Sequence, residues 1–185
     1  MTIQGSAFLS TLYTIGHSTR TFDELVAALQ AHGISTLVDI RAFPKSRRLP
    51  HFYRESLEVE LPKKGIAYVW MSELGGHRQK IRADSPNTGL RNDSFRNYAD
   101  YMLTPEFAQA IERLLEIAQQ GSAAYMCAER VYFQCHRMLV SDYLTAHGHT
   151  VLHIDDNKRA PRPHELMPEA HVVNGQLLYN AQELF

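Results

Sequence analysis

Cysteine is scarce: two residues in a chain of 185, too few for the disulfide framework of a small secreted protein. Both thiols are therefore expected in the reduced state. A surplus of charge is also missing, the formal net charge being -1. That balance speaks against a general nucleic-acid coat or a membrane-surface protein and confines any basic patch to one locality. No apolar run approaches the roughly 18 residues that a membrane span requires. The opening MTIQGSAFLSTLY has neither the basic start nor the apolar stretch of a secretory signal, so the expected compartment is the cytoplasm. The glycine-rich phosphate fingerprints are absent too: IGHSTR is neither GxGxxG nor a P-loop.

What is present is a repeated rhythm of apolar-striped helix, glycine stop and β-branched run. TFDELVAALQAHG carries Phe22, Leu25, Val26 and Leu29 on one face, with Thr21 and Glu24 spaced as a capping box and Gly33 as stop. The strand STLVDI follows. PEFAQAIERLLEIAQQG has Thr104 as cap, Pro105 at the first helical position and Gly121 at its end, and SAAYMC follows. HRMLVSDYLTAHG ends at Gly148 before TVLHI. FLSTLYTI precedes the first helix, and IAYVW follows a helix expected around residues 53–64 and stopped by Gly65.

Strands alternating with helices predict one α/β domain over residues 1–185: a mostly parallel five-stranded sheet with helices on both faces, doubly wound in the flavodoxin or Rossmann manner. Three segments stand outside that rhythm: the basic loop RAFPKSRRLPHF at 41–52, a polar loop at 71–93 followed by a short helix near 94–103, and the proline-rich tail after Asp155. In that tail GQLLYNAQELF would either cover the domain or pair with a second copy, so a homodimer stays open.

Ligands of open α/β sheets bind beyond the carboxyl ends of the strands. Those ends carry His17 and Ser18, then Arg41 with Ser46 and Arg47, then Glu73, Gly75 and Gly76, then Cys127, Glu129, Cys135, His136 and Arg137. Cys135 falls at the start of a helix, where amide dipoles and the neighbouring His136 and Arg137 would lower a thiol pKa. Spacing excludes a tyrosine-phosphatase loop, since Phe133 stands where an arginine is needed, and seven residues separate the two thiols instead of the two of a thioredoxin pair. A zinc or iron site built from Cys127, Cys135, His136 and a fourth ligand such as His17 follows no standard spacing.

The blocks YTIGHSTRTFDELVAAL, LVDIRAFPKSRRLPHF, GIAYVWMSELGGHR, FRNYADYM, CAERVYFQCHR and VLHI together resemble the domain of unknown function 488 family, over residues 13–154 with 155–185 as an extension. The resemblance implies an α/β fold and picks out Gly16, His17 and Ser18; Asp39, Ile40, Arg41, Pro44, Ser46 and Arg47; Glu73 to Gly76; and Cys127, Glu129, Cys135, His136 and Arg137. It transfers no reaction.

The first functional expectation is a cysteine-dependent enzyme acting on an anionic, phosphate-bearing or nucleotide-like substrate. Cys127 or Cys135 would react, His17 or His136 with Glu129 would move protons, and Ser18, Arg41, Ser46, Arg47, Glu73, Gly75, Gly76 and Arg137 would bind substrate. The alternative is a nucleic-acid-binding or DNA-repair-associated module using the basic, aromatic-rich loop. A further alternative is a thiol-based metal or redox sensor. No cofactor is required by the sequence, and no membrane partner is expected.

Overall fold

The computed structural model describes residues 9–45 and 48–180. Five strands form the parallel body of one sheet: β1 (Thr11–Gly16), β2 (Thr36–Asp39), β3 (Ala67–Trp70), β4 (Ala123–Cys127) and β5 (Thr150–Ile154). Their order is β3-β2-β4-β1-β5. Connecting them are α1 (Phe22–Ala31), α2 (Arg54–Glu60), α3 (Asp93–Tyr101), α4 (Pro105–Gln120) and α5 (Arg137–Ala146).

Local chemistry explains the helix ends. Thr21 accepts from the Glu24 amide while the Glu24 carboxylate accepts from the Thr21 amide, a complete capping box. Asn92 and Thr104 cap α3 and α4 through their side chains. Gly33, Gly65 and Gly148 take the left-handed conformation after α1, α2 and α5. The helix expected around 53–64 is α2 followed by a short 3₁₀ turn, Pro62–Lys64, because Pro62 cannot continue the α-helical hydrogen-bond ladder.

Alternate residues of each strand face opposite cores. Ile15, Leu37, Ala124, Met126 and Ile154 pack against α1 and α2, burying Leu25, Leu29, Leu57 and Leu61 with them. Leu12, Val38, Tyr125 and Val151 pack on the other face against α3, α4 and α5. The sheet is therefore doubly wound as expected. Its strand order differs from the standard Rossmann and flavodoxin orders, because β4 returns between β2 and β1.

The tail adds what periodicity does not reveal. β6 (Arg162–Pro163) joins β5 as an antiparallel sixth strand, and β7 (Ala170–Val173) with β8 (Gln176–Tyr179) forms a separate hairpin. A proline in a two-residue strand hides such an element from sequence reading, and an edge is where a sheet accommodates one. Leu177 and Tyr179 are buried in the main core, so residues 176–179 cover the domain. Residues 181–185 lie outside the described residues. Among the described residues no helix is long and apolar enough to cross a membrane.

Candidate functional site: a cleft with two thiols and an imidazole

Strands β2 and β4 are neighbours, yet the chain leaves them toward opposite faces: through α2 after β2, and through α5 after β4. Diverging exits open a crevice at the carboxyl ends, the place where such sheets hold ligands. A cleft of about 350 Å³ lies there, lined by residues that include Arg41, Phe43, Gly76, Tyr98, Cys127, Glu129, Cys135 and His136.

Cys127 closes β4, paired in register with Gly16 at the end of β1. Cys135 follows a 3₁₀ turn, Tyr132–Gln134, and immediately precedes His136, the N-cap of α5. The intervening loop brings the two sulfurs and a His136 ring nitrogen to within 4.8 Å of one another. Cys127 Sγ lies 3.8 Å from His136 Nδ1. His136 Nε2 sits 3.0 Å from the Ile40 carbonyl, an acceptor only, so Nε2 carries the proton and Nδ1 presents a lone pair to the sulfurs.

Close backbone approaches hold this arrangement. A Cβ on Gly76 would lie 2.3 Å from His136 Nδ1, and one on Gly16 would lie 1.8 Å from the Glu129 carbonyl. Only glycine lets the loops after β1 and β3 press against the β4–α5 segment. Gly75 is likewise seated on the Ala42 backbone.

Burial and neighbours set the protonation states. Burial holds His136 neutral, its pKa lowered to about 4 despite the Ile40 carbonyl, which pulls upward. The Cys135 thiol is lowered below its ordinary value, first by a hydrogen bond from Cys127, then, against the cost of burial, by the charge and amide of Arg137. Cys127 is pushed well above its ordinary range by that same hydrogen bond and by burial. The two thiols therefore titrate as a pair, and the neighbouring Arg137 favours negative charge on the Cys135 side.

The surroundings of Arg137 are consistent with this direction. Its side chain is 1% exposed, and its partners are the Thr14 hydroxyl at 3.0 Å and the carbonyls of Glu129 and Arg130. None of these is an anion, and among the described residues its Nε has no hydrogen-bond partner. A buried guanidinium beside a cysteine and without a carboxylate calls for an anionic sulfur.

The other expected site residues are distributed differently. Arg41 lines the cleft, but its guanidinium is held by both Asp39 oxygens and by the Phe52 carbonyl. With Arg137 likewise engaged internally, both arginines lend the cleft their charge more than free donors. His17 lies elsewhere: its Nε2 accepts from Arg41 at 3.1 Å and its Nδ1 is 2.9 Å from the Ser18 carbonyl, so the imidazole beside the thiols is His136. Burial, then the Arg41 charge, lowers His17 to about 4. Ser18 lines a second cleft, of about 530 Å³, together with Arg20, Asp155 and Asp156. Glu73 points outward to Arg113 at 3.5 Å, while its carbonyl anchors Arg78 and the Tyr101 hydroxyl. Glu129 is exposed on the cleft wall. Ser46 and Arg47 lie outside the described residues.

One side chain was not singled out from sequence, and one main-chain contact belongs to a residue that the resemblance did pick out. Tyr98 of α3 sets its ring 5.3 Å from that of His136 and donates its hydroxyl to the Leu74 carbonyl. The Ile40 carbonyl, which fixes the imidazole, has no sequence signature at all.

The fold and cleft define a doubly wound α/β protein with a cluster of two cysteines and an imidazole at its strand ends. The chain matches the family model described as domain of unknown function DUF488 over residues 21–144, and it belongs to that family. The matched range leaves out residues 13–20 and 145–154, which the resemblance had included. No curated protein matches, and no solved structure matches.

Proposed function

We propose that the protein is an enzyme acting on a small, planar, anionic substrate of the nucleotide type, with Cys127, Cys135 and His136 as its reaction centre. The convergence of two sulfurs and an imidazole lone pair within 4.8 Å, on a cleft at the strand ends, carries this reading. Buried polar groups, in places where an ordinary core would carry apolar side chains, are concentrated where the sheet opens. The planar character rests on Phe43, 73% exposed at the rim and 5.9 Å, centroid to centroid, from His77. Large apolar rings normally avoid solvent, and this pair offers a stacking face for a base. The anionic character is the expectation carried from the sequence; Arg41, at the cleft wall and paired with Asp39, is the cationic side chain nearest to it. In this reading the two sulfurs and the imidazole form the reaction centre as a unit, and Glu129 supplies the cleft's exposed carboxylate.

Thermal unfolding of the full chain in the presence of nucleobases, nucleosides, nucleoside monophosphates and a short single-stranded oligonucleotide tests the proposal. At least one monomeric compound should raise Tm by several degrees, as binding to the folded state alone requires. Phe43→Ala and Cys135→Ser should each abolish that shift. No shift from any of these compounds would refute the reading. A shift by the oligonucleotide alone, lost steeply with added salt, would replace it with single-strand binding.

A further inference from the structure

We propose that Cys127 Sγ, Cys135 Sγ and His136 Nδ1 bind one zinc ion in a three-ligand site whose fourth position opens into the cleft. This deepens the reading of the cleft as a reaction centre and rests on it.

Geometry is the first argument. In a tetrahedral zinc site with Zn–S near 2.3 Å and Zn–N near 2.0–2.1 Å, neighbouring ligand atoms stand about 3.5–3.8 Å apart. Here all three lie within 4.8 Å of one another, and the Cys127–His136 separation is 3.8 Å. Small rotations of side chains already facing one another would close the shell.

The donor set is the second argument. Two thiolates and an imidazole select zinc or another thiophilic metal over magnesium or calcium. His136 is already in the tautomer that a metal needs, with Nδ1 unprotonated and Nε2 donating to Ile40. A ligating histidine commonly passes its other N–H to a carbonyl in this way, which fixes the ring. Arg137, buried with no carboxylate partner among the described residues, balances the negative charge of the sulfurs from behind.

The third argument is what the shell lacks. His17, the one further ligand considered from sequence, has both ring nitrogens committed to Arg41 and Ser18. Among the described residues no other His, Cys, Asp or Glu joins the group. Structural zinc sites close with four protein ligands, whereas catalytic ones use three and leave a place for water or substrate. The three residues are themselves buried, yet the cleft they line is open at its rim, where Glu129 stands. The arrangement is that of a site for metal-bound water.

Zinc binding to the full chain, stripped of metal and kept reduced, provides the test. Titration with zinc against a chromophoric chelator should give one ion per chain. Cobalt, substituted for zinc, should develop the thiolate charge-transfer band of a tetrahedral site. Cys135→Ser and His136→Gln should each weaken zinc at least ~100-fold, while Glu129→Gln leaves it unchanged; circular dichroism establishes that each variant is folded. A stoichiometry well below one, or a Cys135→Ser/His136→Gln double variant that keeps wild-type affinity, overturns the metal site. Such a result combined with ligand binding in the thermal screen would leave the reaction centre standing as a metal-free thiol. Tight zinc binding with no ligand from that screen would uphold the metal and refute the substrate class.

Discussion

Asp39→Ala should destabilise the chain by about 3–5 kcal/mol, the usual cost of removing one partner from a buried ion pair. Asp39 is fully buried at the end of β2. Its Oδ1 accepts from Arg41 Nε at 2.8 Å and from the Arg41 amide at 3.1 Å, and its Oδ2 accepts from the Tyr68 hydroxyl at 2.7 Å. Alanine would leave the Arg41 guanidinium buried without a counter-charge and the Tyr68 hydroxyl without its acceptor. Because Arg41 also donates to the Phe52 carbonyl and to His17, the loop leading into α2 should loosen with it. Denaturant unfolding of the wild type and of Asp39→Ala measures the loss. The double variant Asp39→Ala/Arg41→Met should recover part of it, since the stranded cation is then gone. A loss under 1 kcal/mol, or a double variant less stable than the single by the full cost of a second buried group, would contradict this account of the cleft floor.

The second large effect is acid instability below neutral pH. His17 and His153 are buried and neutral: burial first, then Arg41, lowers His17 to about 4, and burial first, then His164, lowers His153 to about 3. The unfolded chain takes up these protons near the ordinary value of about 6.5, whereas the folded chain resists until near its lowered values. Between those limits the unfolded state binds more protons, so acid favours unfolding. Above about pH 6.5 neither state is protonated at these sites and the contribution vanishes. Two such groups give a slope of about 2.7 kcal/mol per pH unit once pH is well below 6.5. His136, lowered to about 4, adds to it in the metal-free chain. A domain of ordinary stability, about 5–15 kcal/mol, would lose much of it by pH 5 to 4. Unfolding free energies at pH 7, 6 and 5 should fall with increasing steepness; a flat profile from 7 to 5 would show that the histidines are not held neutral.

How much of this was legible in the sequence differs between scaffold and site. The five parallel strands and the helices between them were readable because each helix shows its stripe and each boundary its own chemistry: the Thr21–Glu24 box, Pro105 behind Thr104, Gly33 and Gly148. Strand order was not, since nothing local in β4 states that it returns between β2 and β1. The cluster in CAERVYFQCHR was readable as residues at a strand end and a helix start. Its assembly was not, because the partner that orients His136 is a main-chain carbonyl and the surface that clamps it is Gly76. That Asp39, two residues earlier, would hold an arginine was readable; that the arginine is Arg41, locked also to the Phe52 carbonyl, was not. The buried chain from Asp142 through His164 to His153, with Tyr179 donating to Asp142, was invisible for a related reason. Its members come from α5, β5 and the proline-rich tail, and no sequence period links them.

The central claim is that Cys135 and Cys127, though neighbours in one cleft, are held in opposite protonation states. Alkylation of the native, metal-free protein with iodoacetamide as a function of pH, followed by peptide mass spectrometry, reads the two sulfurs separately. Cys135 should react with a midpoint well below the ~8.5 of a free thiol, and Cys127 should remain unmodified through the same range. Two sulfurs that share an ordinary midpoint, or that both stay inert until the protein unfolds, would contradict the account and reduce CAERVYFQCHR to packing.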